Sequence, residues 1–214
     1  MRTVFHEQLD TLNENVADLC ERTAAMMKLA TEALLYADLE ASERVIDRRD
    51  DVDRLCAALE GDMFTLLARQ APVASDLRVV LSGMRNVADL QRMGALAAHV
   101  ARITRRRHPE IAVPADVCGY FAEMGRIAVQ LALDTKSVVR EGNPDIAARL
   151  NVDDEAMDNL HRRLFAVVMN PEWPHGTTAA VDVTLLSRYY ERFADHAVEI
   201  AHKVIYRSTG ARRD

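Results

Sequence analysis

Four residues late in the chain stand at steps of four, four and three: Glu191, Asp195, Glu199 and His202. Within an α-helix those steps keep the side chains on one stripe. Three carboxylates stacked at one-turn spacing repel each other and hold protons more tightly unless something compensates them. Arginines, solvent or a hard cation would compensate, and carboxylate oxygens suit magnesium, manganese or iron. A solvated polar face neutralised by Arg188, Arg192 and Lys203 accounts for the same pattern with no metal at all.

A second acidic group precedes it: Asp153, Asp154, Glu155 and Asp158, of which Asp154 and Asp158 share a helix face. The candidate metal ligands are therefore Glu191 and Asp195, with Asp154, Asp158 and Glu199 to complete the shell. Glu199-Ile-Ala-His202 also fits the Glu-x-x-His pattern of carboxylate-bridged di-iron bundles. Such a site needs two of these motifs on separate helices plus two further glutamates. The other match, Glu172-Trp-Pro-His175, falls in a proline-rich loop, so a di-iron centre is disfavoured. No Gly-x-x-x-x-Gly-Lys-Ser/Thr loop, no Gly-x-Ser-x-Gly elbow and no recognisable cysteine nucleophile is present. The pattern is not that of an enzyme.

The elements that must position these residues are long helices. Apolar residues at three- and four-residue spacing (Phe5, Leu9, Leu12, Val16, Leu19, Met26, Ala30) predict a first helix over 3–37. Asp38 caps a second, carrying Val45, Val52, Leu55, Leu59 and Leu66 to about Gln70. Pro72 and Ser75 open a third, to about Thr104. Arg105-Arg106-Arg107 then starts a solvated linker bounded by Pro109 and Pro114. A fourth helix spans about Asp116 to Arg140. Gly142 ends it, and Asn143 caps a fifth with Pro144 at its first position. The stretch Asn170–Gly176 breaks the chain again, Trp173 reading as a plug over a bundle end. Thr177 or Thr178 caps a sixth helix to about Ser208.

The two halves match. At a spacing of 105, Asp38, Val45, Asp53, Leu55 and Leu59 align with Asn143, Leu150, Asp158, Leu160 and Leu164. At a spacing of 100, Arg92, Ala97, Val100 and Ala101 align with Arg192, Ala197, Ile200 and Ala201. The ordered run of matches indicates a duplication. The fold class is all-α: two tandem three-helix bundles related by an internal repeat, divided as 1–107, a linker 108–114, and 115–214. The third and sixth helices are rich in Gly and Ala (Gly94, Ala95, Ala97, Ala98 and Ala101, then Ala194, Ala197 and Ala201), which permits close approach and places them centrally.

Composition narrows the function classes. A net charge of -6 lacks the basic footprint of a nucleic-acid binder. No run of 18 apolar residues is present, and the charged N-terminus has no signal-peptide core, so a cytoplasmic location is expected. Cys20, Cys56 and Cys118 are odd in number and widely spaced, which reads as buried thiols rather than disulfides.

Read in order, several segments resemble the PhoU family of phosphate-signalling regulators. They are Phe5-His-Glu-Gln-Leu9, Arg49-Asp-Asp-Val-Asp53-Arg-Leu55, Gln70-Ala-Pro72-Val-Ala-Ser-Asp76-Leu-Arg78, Asp89-Leu-Gln-Arg-Met-Gly94 and Glu191-Arg-Phe-Ala-Asp195-His196-Ala. The resemblance runs nearly end to end. It implies a cytoplasmic adaptor, expected as a homodimer, that negatively regulates the phosphate-starvation response and phosphate uptake. The implied partners are a two-component sensor histidine kinase and the ATPase of the phosphate ABC transporter. Neither nucleic acid nor a membrane span is implied, only peripheral contact through partners. The family's metal motif, Glu/Asp-x-x-x-Asp on the last helix of each repeat, survives as Glu191 and Asp195. The first repeat has Gln91 and Ala95 there, so any divalent or ferric metal is expected in the second repeat only. The alternative reading is a metal-binding helical-bundle protein or enzyme that uses the carboxylates of the last helix.

Overall fold

The computed structural model describes residues 2–70 and 74–209; the side chains of 2–6, 70, 74, 75, 144, 147, 148 and 206–209 lie outside the description. Pro72, expected to open the third helix, and the side chain of Phe5 fall outside it too. The described residues form six helices: α1 (Arg2–Tyr36), α2 (Leu39–Gln70), α3 (Ala74–Arg107), α4 (Cys118–Glu141), α5 (Pro144–Val168) and α6 (Gly176–Thr209).

The breaks follow local chemistry. Ala37 takes a positive φ of 51°, and Asp38 then accepts the Ala41 N–H at 2.9 Å to start α2. Gly142, at φ 64°, returns its N–H to the Val138 carbonyl and ends α4. Asn143 accepts the Asp145 N–H and Pro144 occupies the first turn of α5. At the last break Trp173, half-buried against the core, donates its indole N–H to the Gly176 carbonyl at 3.0 Å.

Helix adjacency defines two layers. In the first, α2 packs on α3, α3 on α6, and α6 on α5; the second, α1 beside α4, lies behind. The α3–α6 pair is antiparallel: Asp89 meets His196 and Lys203, His99 stacks on Tyr189, and Arg106 meets Asp182. The α1–α4 pair is antiparallel as well, with Lys136 on Glu21 and Arg140 on Glu14. The small residues act as expected: Ala97, Ala101, Ala197 and Ala201 are fully buried, and the Ala197 carbonyl accepts Thr135 Oγ1 from α4 at 3.0 Å. A second close approach joins α1 and α4, where a Cβ on Gly125 would lie 2.5 Å from Thr31 Cγ2. One hydrophobic core runs through both halves, with Met27, Met93, Phe121, Leu131, Tyr190 and Phe193 in it.

Three expectations need correction. Arg105, Arg106 and Arg107 are the last turn of α3, not a solvated linker. Arg105 pairs with Glu43, while Arg106 and Arg107 both reach Asp182, at 2.8 and 2.5 Å. Asp182 is only 2% exposed, so the helix is drawn onward to neutralise it. Leu55 is 36% exposed and faces water on the outer side of α2, while Val52, Cys56 and Leu59 carry the buried stripe. Cys118 is half-buried at the start of α4, unlike buried Cys20 and Cys56.

Candidate functional site

The acidic residues of the second half lie along the seam between α5 and α6. These helices run antiparallel from a short connection, so their facing stripes meet in opposite order. Asp154 lies within the field of Asp158, Asp195 and Glu191. One turn further along, His161 Nδ1 is 3.0 Å from Ser187 Oγ. Four of the five residues singled out from sequence are thereby brought together.

Glu199 is not among them. It projects from α6 into solvent and pairs with Lys203 at 3.2 Å. Lys203 also holds Asp89 at 2.6 Å, in a cluster that includes His196 and ties α3 to α6. His202 turns to Asn151 Oδ1 at 2.9 Å. The sequence stripe of Glu191, Asp195, Glu199 and His202 thus divides between three partners.

Electrostatics mark the four-carboxylate group as under-compensated. Burial first, then Asp158, Asp195 and Glu191, push Asp154 up to about 6. Its Oδ1 is buried and lacks a hydrogen-bond partner. Burial and Asp195 push Glu191 up as well, against the opposing charges of Arg188 and His161. Arg188 is paired to Glu191, and Arg192 reaches Asp195 at 3.7 Å. Among the described residues no three acidic, histidine or cysteine side chains already converge at metal-holding spacing. The donor set nevertheless fits a hard cation. Four carboxylates offer only oxygens, and one buried oxygen has nothing to accept from. Closing on an ion would require Glu191 to turn from Arg188.

The equivalent place in the first half is built differently. Asp53 corresponds to Asp158, and Gln91 and Ala95 to Glu191 and Asp195. At the same spacing of 105, Asp154 corresponds to Arg49. Arg49 Nε donates to Asp53 Oδ2 at 2.8 Å and Gln91 Nε2 to Asp53 Oδ1 at 2.9 Å. Burial alone would raise Asp53, but those hydrogen bonds and the Arg49 charge outweigh it and hold the carboxyl below its ordinary range. The Arg49 guanidinium supplies the positive charge beside Asp53 from the chain itself. Gln91 and Ala95 are legible at the spacing of 100, and the exchange of Asp154 for Arg49 at the spacing of 105.

Comparison with known proteins agrees with this architecture. The PhoU domain model matches twice, over residues 16–104 and 121–204, and the chain belongs to the PhoU family. It is 55% identical, over 99% of both chains, to the phosphate-specific transport system accessory protein PhoU homolog 2 of Mycobacterium tuberculosis. It is 52% identical to the corresponding homolog 1 of Mycobacterium leprae, over 99% of this chain and 95% of that one. Crystal structures of PhoU from Pseudomonas aeruginosa and of the phosphate transport system regulatory protein PhoU from Streptococcus pneumoniae superpose with TM-scores of 0.85 and 0.87. Their identities are 23% and 24%; they cover 97% and 98% of this chain, and 100% and 99% of their own lengths are matched. Among the described residues no helix is long and apolar enough to cross a membrane.

Proposed function

We propose that this chain is a cytoplasmic regulatory adaptor that negatively regulates the phosphate-starvation response and phosphate uptake. It does so by contacting a sensor histidine kinase and the ATPase of a phosphate ABC transporter. The supporting observation is the full-length likeness to proteins named as phosphate-specific transport accessories. A rigid two-layer helical body with a charged surface suits a docking role. The test is a clean deletion, with any second homologue also removed, read by a starvation-responsive reporter in phosphate-rich medium. Expression there supports the reading; continued repression refutes it.

A second reading concerns the carboxylates, and the unpartnered buried oxygen of Asp154 favours it. Asp154, Asp158, Glu191 and Asp195 would hold a divalent or ferric metal in the second half, where it would neutralise the cluster and pin α5 to α6. Glu199 is left out, because Lys203 engages it. Metal analysis of purified protein tests this. Asp195→Ala should strip the ion and keep the helix content; unchanged metal content in that variant refutes the assignment. The units 1–107 and 115–214 joined by 108–114 are proposed as the two repeats of one regulatory body.

A further inference from the structure

Beside the four carboxylates stands a nitrogen donor with no task assigned so far. His161 lies three residues past Asp158 on α5, and Ser187 four residues before Glu191 on α6. Both therefore continue the acidic stripes by one turn. His161 Nδ1 meets Ser187 Oγ at 3.0 Å, and Ser187 Oγ donates to the Thr184 carbonyl at 3.0 Å. The second bond settles the direction of the first. A hydroxyl has one proton, and Ser187 gives it to Thr184, so Nδ1 must donate to the hydroxyl oxygen. Neutral His161 then carries its proton on Nδ1 and a free lone pair on Nε2. Among the described residues no hydrogen bond reaches Nε2. The Phe165 ring lies beside the imidazole, at 6.3 Å between centroids, and the imidazole acts on the charge of Glu191. Two arginines share the seam. Arg162 turns its Nε to the Asp158 carbonyl rather than the carboxylate, and Arg188 pairs with Glu191, the contact that must open before Glu191 reaches an ion.

The repeat provides an internal comparison. At the spacings of 105 and 100, His161 and Ser187 correspond to Cys56 and Val87. Cys56 is buried, and its thiol donates to the Val87 carbonyl at 3.8 Å. The half that has Arg49, Gln91 and Ala95 in place of carboxylates therefore lacks the imidazole and the hydroxyl as well. Oxygen and nitrogen donors occur together in one half and are replaced together in the other.

We propose that His161 supplies a nitrogen ligand, through Nε2, to the ion held by Asp154, Asp158, Glu191 and Asp195, and that Ser187 positions it. Metal-bound histidines characteristically give their other ring proton to an acceptor, which fixes tautomer and orientation. Ser187, itself anchored on Thr184, is that acceptor here. An imidazole among carboxylates changes which ion is preferred. Magnesium and calcium take oxygen donors, whereas imidazole suits zinc and iron. The site therefore selects a divalent transition ion such as zinc or iron(II) over magnesium or calcium. The inference rests on the metal reading above, and the experiment separates its failure from the failure of that reading.

The test uses the purified full chain, stripped with chelator and reloaded with one ion at a time. With manganese(II) as the probe, pulsed EPR should show coupling to a histidine nitrogen, and His161→Ala should abolish it. Competition against a zinc-binding dye should show His161→Ala weakening zinc by about tenfold or more. Magnesium binding, read by calorimetry, should change far less. Ser187→Ala, which frees the ring, should weaken zinc in the same direction and leave magnesium unchanged. His175→Ala, whose imidazole pairs with Asp116, should alter none of these. Circular dichroism checks that each variant keeps its helix content; if His161→Ala does not, His161→Gln is read in its place. Nitrogen coupling or zinc affinity that survives the loss of His161 overturns the donor assignment and leaves the carboxylate site standing. Equal loss in His175→Ala overturns it too, since zinc would then sit on surface histidines. A wild-type chain that holds neither zinc nor manganese overturns the metal reading and this inference together.

Discussion

Asp154 holds its proton more tightly in the folded chain than a free aspartate does, because burial and three neighbouring carboxylates disfavour its charge. A carboxyl raised to about 6 in the fold binds more protons than the unfolded chain between about pH 4 and 6. Stability from this group therefore grows as pH falls through that window, and the penalty is fully present above it. Asp154→Asn should raise the melting temperature most at pH 8, by about half as much at pH 5 and little at pH 4, by calorimetry. Discounting for solvent screening, the gain is about 1 kcal/mol. Equal melting shifts at pH 8 and pH 4 would refute the account. Arg49 gives the opposite expectation: Arg49→Ala should destabilise at pH 7, because it leaves the half-buried Asp53 with Gln91 as its remaining hydrogen-bond partner. The carboxylate residues were legible as a stripe. Their partition was not, because Lys203 draws Glu199 away by a three-dimensional contact with Asp89, and helical spacing says nothing of that.

Between elements, two kinds of joint hold the layers. One is close approach. Gly125→Ala would press a methyl on Thr31, which the Tyr190 hydroxyl already holds at 2.8 Å. Ala97→Leu and Ala197→Leu would overfill the centre. Each should cost about 1–3 kcal/mol in denaturant melts, and neutral results for both alanine variants would contradict their central placement. The other joint is ionic. Arg106→Ala with Arg107→Ala strands buried Asp182, and the loss should be about 2–4 kcal/mol, against the near-neutrality of a solvated linker. Asp182→Asn in that background should recover part of it. Helix count, breaks and the caps Asp38 and Asn143 were readable because Pro, Gly, Asn and Asp stand where the chain turns; the sixth helix instead starts at Gly176, ahead of the Thr177 or Thr178 expected to cap it. The last turn of α3 was misread because three adjacent arginines suggest solvent. Arg106 and Arg107 find their partner 76 and 75 residues away, on α6, and Arg105 finds Glu43 on α2.

For the molecule as a whole, a duplicated sequence has become one body. The contacts of α1 with α4 and of α3 with α6 all cross between the halves, and the core is continuous through them. Residues 1–107 expressed alone should therefore expose the inner faces of α1 and α3 and fail to melt cooperatively. Mixing with 108–214 should restore a single transition. Two independent, cooperative melts from the separated halves would show that the interface is dispensable. The repeat was visible in sequence as matched spacings, but its fusion into two shared layers was not. Periodicity marks which face of a helix is apolar and leaves open which helix covers it.

Arg49 has a consequence for how the two halves relate to their surroundings. A cation supplied by a side chain is present in a fixed one-to-one ratio, survives any chelator and ignores the cell's supply of ions. The first half is therefore constitutive, its charge settled when the chain is made. The four carboxylates of the second half are met only by Arg188 and Arg192; on the metal reading proposed above, the rest of their charge would be balanced from outside.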